Sequence, residues 1–407
     1  MNMNRIRKPY PFEARAVFMM KFKITETIQD VHTHLALNLE MAKDAGRKVV
    51  GCLCSYSPTE LILAAGAIPV GLCGTTQIPI AKAEEILSRD QCPKVKSTYG
   101  RAISGTCPLF PLADCIIAET TCDGRKKMYE LLEREVPLMV MDLPQKPDSP
   151  AALAHWTSEV RNTKAFLEKQ LEVTITDDDL WQAIEKGNRQ RRLMTDIYGC
   201  MRHDPPPVTG LDFVNITGKL RYYVDFEDYI QTLDAFYNEL QDCVKTGQSA
   251  LPPGRPRILW TGLGSSLGCS KVLELVEDCG GVVVCQEGCG GITRTEDLIP
   301  VNRNEDPIAA IAQRYLRVTC ACMTPNSGRF SDLERLVKEF NIDGVIDLAW
   351  QFCQPFEIES FRVGELIRDR LGLPFLHVVT DYSESDTEQL RVRIEAFMEQ
   401  VTAGRTL

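Results

Sequence analysis

A chain of 407 residues suggests two or three domains at about 150 residues each, and a 44% hydrophobic, 25% charged composition provides apolar material for more than one core. Its formal charge of −10 excludes a protein that tracks nucleic-acid phosphates. The longest apolar run, residues 61–74, is too short to span a membrane and is broken by Gly66 and Pro69.

Taken in chain order, residues 15–45 read as a helical preamble without visible chemistry. A βα pattern follows. Residues 48–55 read as a strand, and Ser57-Pro58-Thr59-Glu60 has the form of a capping box with proline opening the helix that ends at Gly66. Further strands are expected at 67–72, 115–119 and 137–143, with an amphipathic helix over 125–135. From Pro150 the pattern turns to long helices, at 151–171, 177–202 and 227–245. Thr176 is a helix cap, and the Asp177-Asp178-Asp179 run fits a first helical turn. A Gly- and Pro-rich linker at 247–256 leads to strands at 257–261, 282–286, 343–349 and 375–380, with helices between. Alternating strands and helices imply parallel sheets. The expected fold is α/β: two doubly wound parallel-sheet, Rossmann- or flavodoxin-like domains with a helical connecting segment. The expected boundaries are 1–45 for the N-terminal helical segment, 46–150 for the first α/β domain, 151–250 for the connecting helices and 251–407 for the second α/β domain.

Sixteen cysteines against five histidines is the unusual feature of the composition. Lys21 and Lys23 close the N-terminal apolar patch too early for a signal peptide, so a cytoplasmic protein with reduced thiols is expected rather than a disulfide framework. Few histidines and no H-E-x-x-H leave thiolate ligation, redox chemistry or plain burial as the uses of so many thiols. The absence of any C-x-x-C excludes ferredoxin runs, zinc ribbons and thioredoxin motifs, so a metal cluster here must be assembled from scattered cysteines. Several follow expected strands, where open α/β sheets bind ligands: Cys54, Cys73, Cys122, Cys289 and Cys353. Cys92, Cys107, Cys320 and Cys322 fall in loops. Cys115, Cys200, Cys243, Cys269, Cys279 and Cys285 read as buried apolar thiols, and Cys52 should face away from Cys54. From the residues alone, both ligation and burial stay open for Cys54, Cys92 and Cys353.

Two other motifs have a functional and a structural reading. Gly262-Leu-Gly264-Ser-Ser-Leu-Gly268 has G-x-G-x-x-x-G spacing, so a tight strand-to-helix turn is favoured over a dinucleotide site, although Glu287 stands where a ribose-binding acid would. In Glu119-Thr-Thr-Cys122-Asp-Gly124-Arg-Lys-Lys, Gly124 permits an unusual backbone angle and the helix start favours an anionic sulfur. The structural reading of the same loop has Asp123 capping the helix and Arg125, Lys126 and Lys127 solvated.

Three groups of residues carry a family resemblance. They are Cys54-Ser-Tyr-Ser-Pro58-Thr-Glu60 with Ala64-Ala-Gly66; Cys92-Pro93 with Lys96-Ser-Thr-Tyr99-Gly100; and Glu119-Thr-Thr-Cys122-Asp-Gly124. With Cys289, Cys320-Ala-Cys322-Met-Thr-Pro325-Asn326 and Cys353, they resemble the 2-hydroxyacyl-CoA dehydratase and benzoyl-CoA reductase superfamily over nearly the whole chain after residue 45. The extra cysteines are most similar to its double-cubane cluster branch. That resemblance implies a homodimer whose 8Fe–9S cluster, two bridged 4Fe–4S units, is held by six cysteines and fed by a separate ATP-hydrolysing Fe–S activator. It carries Cys54, Cys92 and Cys353 over as the superfamily's shared ligands and Cys122, Cys289 and Cys322 as those of the second cubane, with Cys320 and Cys107 as alternates. Candidate proton donors are Glu60, Tyr56 and Tyr99, from their nearness in sequence to Cys54 and Cys92. The expected activity is oxygen-sensitive, ATP-dependent, low-potential reduction of a small molecule, without nucleic-acid or membrane partners. Each 59 mV of uphill one-electron transfer costs about 1.4 kcal/mol, which is why such a reductase needs ATP; no Walker A loop is present, so the ATPase is another protein. The alternatives are a 2-hydroxyacyl-CoA dehydratase subunit with a single 4Fe–4S cluster, a non-enzymatic cluster carrier, and a nicotinamide dehydrogenase.

Overall fold

Short runs of apolar residues without strict alternation make strands buried on both faces, the pattern of parallel sheets sandwiched by helices. The computed structural model describes residues 22–263 and 270–405 and contains two such sheets. In the first, β1 (Val49–Cys52), β2 (Ile68–Gly71), β3 (Cys115–Glu119) and β4 (Leu138–Met141) lie in the order β2-β1-β3-β4, all parallel. In the second, β5 (Arg257–Gly262), β6 (Val282–Gln286), β7 (Gly344–Trp350) and β8 (Phe375–Thr380) repeat it as β6-β5-β7-β8. Both are flavodoxin-like, and in both the order switches direction beside the first strand, so ligands are expected at the carboxyl ends there.

The helices of the expected connecting segment also form layers of both halves. The Pro150–Leu171 and Asp177–Gly199 helices lay Trp156, Val160, Leu167 and Ile184 over one face of the first sheet, against Val50 and Ile117. Ile197, Phe213, Ile230 and Leu233 pack with Leu259 and Val345 of the second sheet. Phe213 belongs to the Gly210–Lys219 helix, which the sequence pattern did not separate from its Pro-rich approach. The expected helix at 177–202 stops at Gly199 and tightens into a 3₁₀ turn, Cys200–Arg202. Thr176 forms the capping box with Asp179 that its position suggested.

The two halves interlock through the Pro307–Leu316 helix, between β6 and β7. Its Ile308, Ile311 and Tyr315 enter the core of the first half, beside Trp156 and Ile184. The N-terminal segment, where described, is a pair of helices, Lys23–Thr33 and Leu35–Asp44; the expected start at 15 lies outside the described residues. The described cysteines are all free thiols, with Cys115, Cys200, Cys243 and Cys285 buried as expected and Cys279 partly exposed; Cys269 lies outside the described residues. Among the described residues no helix is long and apolar enough to cross a membrane.

Ile311 is fully buried where the Pro307–Leu316 helix enters the first half's core, so Ile311→Ala leaves a cavity there and should cost about 2–5 kcal/mol in urea unfolding. Val392, 67% exposed, is the control: Val392→Ala should stay within about 0.5 kcal/mol of the parent.

Candidate functional site

The carboxyl ends of the two sheets face a cavity of about 590 Å³ between the halves, and seven cysteines line it: Cys54, Cys92, Cys122, Cys289, Cys320, Cys322 and Cys353. Both halves contribute. Cys54 leaves the end of β1, and Cys122 follows β3 with an extended backbone as the N-cap of the Asp123–Leu132 helix. Cys92 is the N-cap of the Pro93–Ile103 helix, and Cys353 that of Gln354–Glu365. Proline in the first turn of the last two stiffens each helix start just past the thiol. Three helix N-termini, each favouring negative charge, therefore open onto one cavity.

Local backbone devices aim the second half's thiols. Phe352 takes a left-handed conformation, φ 62°, so that the chain turns sharply after β7 and the Cys353 amide donates to the Trp350 carbonyl at 3.0 Å. Gly288, φ 126°, provides the turn before Cys289 that a residue with a Cβ rarely adopts. Cys320 and Cys322 sit in the loop between the Pro307–Leu316 and Ser327–Glu339 helices. Asn326 Nδ2 donates to the Cys320 carbonyl at 3.0 Å, and the Thr324 amide ties the loop to the first half through Gln145 O at 2.8 Å.

The thiols interact in two pairs. Hydrogen bonding from Cys353 brings Cys92 down to about 7 and correspondingly raises Cys353. The amides of Lys94 and Val95, at the open helix end, also favour the Cys92 thiolate. Hydrogen bonding from Cys322 likewise brings Cys320 down to about 6, with Arg294 and Arg329 assisting, while Cys322 moves up. Burial raises Cys54 and Cys122. Among the described residues no three His, Cys, Asp or Glu side chains converge on a point suited to a single metal ion; the thiols are instead distributed around the cavity wall.

Cations surround these sulfurs. Arg125 is buried, contrary to the solvated reading: its guanidinium donates to the Leu53 carbonyl, to Cys73 Sγ at 3.3 Å and to Glu119 Oε1 at 3.4 Å. Asp123 does not cap; it is exposed and pairs with Lys126 at 2.9 Å. Gly124 is helical rather than unusual in φ, and leaves room for Gln91, whose Oε1 would lie 2.5 Å from an added Cβ. Lys94 also lines the cavity; burial opposes its charge, but the Cys73 and Cys289 sulfurs outweigh that and raise it. Burial pushes Glu119 up to about 7 despite Arg125. Lys94 was not singled out from the sequence, where it reads as an ordinary exposed helix lysine; the Cys92-Pro93 helix start beside it was the available signal.

The remaining candidates fall elsewhere. Cys107 is buried in the first half's other core and accepts from Arg101 at 3.0 Å, so of the rivals Cys107 and Cys122 the structure brings Cys122 to the cavity. Tyr99 is buried in that same core. Tyr56 is buried against Trp156, its hydroxyl donating to Val318 O at 2.7 Å, 4.0 Å from Cys322 Sγ. Glu60 forms no capping box, since the helix starts at Thr59 with Pro58 as cap and no side-chain cap bond. Its carboxylate is fully buried on Arg191 and accepts from the Tyr315 hydroxyl at 2.8 Å. Burial would raise Glu60, but Arg191 and Arg314 prevail and hold it below the ordinary carboxylate value, which suits a structural anion rather than a proton donor. Glu287 is engaged by Arg329 at 3.2 Å and by the Thr261 hydroxyl, which removes it from any ribose-binding role; residues 264–269 of the glycine motif lie outside the described residues.

With this geometry in place, comparison with known proteins gives a consistent picture. A family model described as 2-hydroxyglutaryl-CoA dehydratase, D-component, matches residues 54–401. The candidate dehydratase subunit YjiM of Escherichia coli (strain K12) is 36% identical over 88% of this chain and 93% of its own. The (R)-phenyllactyl-CoA dehydratase beta subunit of Clostridium sporogenes is 24% identical over 88% and 92%, and a benzoyl-CoA reductase subunit of Thauera aromatica 26% over 87% and 90%.

Glu60→Gln leaves Arg191 buried without its counter-charge and should cost about 3–5 kcal/mol near neutral pH. A lowered carboxylate contributes stability above its unfolded value, about 4.3, that is lost as pH falls through the lower folded value, so the gap between parent and variant should close in acid. Urea midpoints measured from pH 7 down to 3 check both.

Proposed function

The chain belongs to the 2-hydroxyglutaryl-CoA dehydratase D-component family, and from that premise we propose that it is the iron–sulfur component of an ATP-dependent reductase. In this reading the cavity holds a double-cubane 8Fe–9S cluster on Cys54, Cys92, Cys122, Cys289, Cys322 and Cys353. The observation that carries the reading is the meeting of all six, with Cys320, around one cavity that no histidine among the described residues lines. Scattered thiols spread over a wall suit a polynuclear cluster, which takes cysteine sulfurs on several irons, better than a single ion. When bound, such a cluster supplies electrons at low potential for reduction of a small molecule.

The chain's own residues fit that anionic occupant. Arg125 and Lys94 bring positive charge to the wall, and three helix N-termini point the same way, so the more negative, reduced state is favoured. Cys320 hydrogen-bonds Cys322 and is the alternative ligand of that pair. Electrons come from a separate ATP-hydrolysing Fe–S activator, since this chain has no Walker A loop, and the working unit is a homodimer. A second reading follows from the relatives, several of which are named as dehydratase subunits: a 2-hydroxyacyl-CoA dehydratase subunit with one 4Fe–4S cluster on Cys54, Cys92 and Cys353.

Iron and acid-labile sulfide per chain, measured on protein purified without oxygen, separate the two. The double cubane requires about eight irons with slightly more sulfide, and the single-cluster form about four of each. Cys122→Ala and Cys289→Ala should reduce iron sharply in the first case and leave it unchanged in the second; a chain without iron overturns both.

A further inference from the structure

Behind Cys54 and Cys289 lies a second, smaller cavity of about 230 Å³, at the carboxyl ends of β1, β2 and β6 and beside the Gly210–Lys219 helix. It shares Cys54, Lys94, Arg125 and Cys289 with the cysteine cavity, so one wall serves both. Its lining has three cations, Lys94, Arg125 and Arg221, and no aspartate or glutamate among the described residues. Arg125 is partly balanced from behind by Glu119. Among the described residues, Lys94 and Arg221 form no ion pair with a carboxylate.

Arg221 is exposed, yet its guanidinium is fixed in place. Nη2 donates to the Gly290 carbonyl at 2.7 Å, and a Cβ added at Gly290 would lie 2.2 Å from the same nitrogen, so the loop after Cys289 is shaped to receive it. Two cations without carboxylate partners among the described residues, one held against the loop that carries Cys289, can donate charge-assisted hydrogen bonds to a negative group. The volume limits what it encloses: at about 30 Å³ per water, a space of about 230 Å³ takes a group of roughly seven heavy atoms.

We propose that this cavity is the substrate subsite of the reductase and that it takes a small anion, a carboxylate or oxyanion, through Arg221 and Lys94. The assignment rests on the reductase reading for its role, though not for the binding itself. It places the anion directly across the Cys54 and Cys289 wall from the larger cavity.

The test is calorimetric titration of the anaerobically purified homodimer with acetate, inorganic phosphate and the neutral isostere acetamide, with iron measured on the same samples. Acetate or phosphate should bind and acetamide should not, and Arg221→Gln should weaken anion binding at least tenfold at unchanged iron content. Lys94→Gln should weaken it to a similar degree. Acetate binding no better than acetamide, or equally in the parent and Arg221→Gln, overturns the proposal. An Arg221→Gln variant with a shifted cluster potential but unchanged anion affinity also overturns it, because the arginine would then serve only to balance the cluster's charge. Full iron with no anion binding removes the subsite and keeps the reductase reading; anion binding by an iron-free chain removes the reductase reading and keeps the anion site.

Discussion

A carboxylate removed from water costs several kcal/mol unless a cation and hydrogen bonds replace its solvent, and Glu60 meets that requirement with groups from two distant parts of the chain. Glu60 itself opens the first helix of the first domain, Arg191 comes from the middle of a long connecting helix, and Tyr315 comes from the crossover of the second domain. None of these groups can move away without stranding a buried polar atom. The apolar insertion of the Pro307–Leu316 helix supplies the bulk of the contact between the halves, and this polar junction gives it a single register. Tyr56, reaching Val318 just past that helix, adds a second fixed point close to Cys322. The distance between the facing sheet ends, and therefore the size of the cavity, follows from that register.

Within the cavity, charge is arranged by backbone as much as by side chains. A thiol at a helix N-cap lies beside amides that have no intrahelical partner, and Cys92, Cys122 and Cys353 all hold that position. Arg125 adds a guanidinium anchored to the main-chain carbonyl of Leu53, at the end of the neighbouring strand β1. Such a wall is prepared for negative charge before any occupant arrives.

The eight strands were legible because each is a short apolar run bounded by turn residues, and β3, β6 and β8 match their expected limits. Of the six proposed ligands, Cys54, Cys122, Cys289 and Cys353 stood out by their placement after strands and Cys92 and Cys322 by the family motifs, and all six line the cavity. What the sequence could not show was which local rule a tertiary partner would override. Ser57-x-x-Glu60 has capping-box spacing, but Arg191, 131 residues away in sequence, takes the carboxylate instead. Arg125 follows Cys122 in a run of charges that reads as solvated, and only the approach of Leu53 and Cys73 reveals its burial. Cys52 was expected to face away from Cys54, but residues two apart along a strand share a face, and the two border the same smaller cavity and pack on the same core. Cys122 was chosen with Cys107 as its alternate, because nothing local says which loop reaches the seam.

The thiols around the cavity are divided between the halves, with Cys54, Cys92 and Cys122 on one side and Cys289, Cys320, Cys322 and Cys353 on the other. A group gripped from both sides acts as a clasp. Its binding free energy is shared with the closure of the seam, because a ligand that binds only the closed arrangement stabilises that arrangement by mass action. For such a ligand, parting of the halves and release become one event, added to the apolar insertion and the Glu60 junction that already join them.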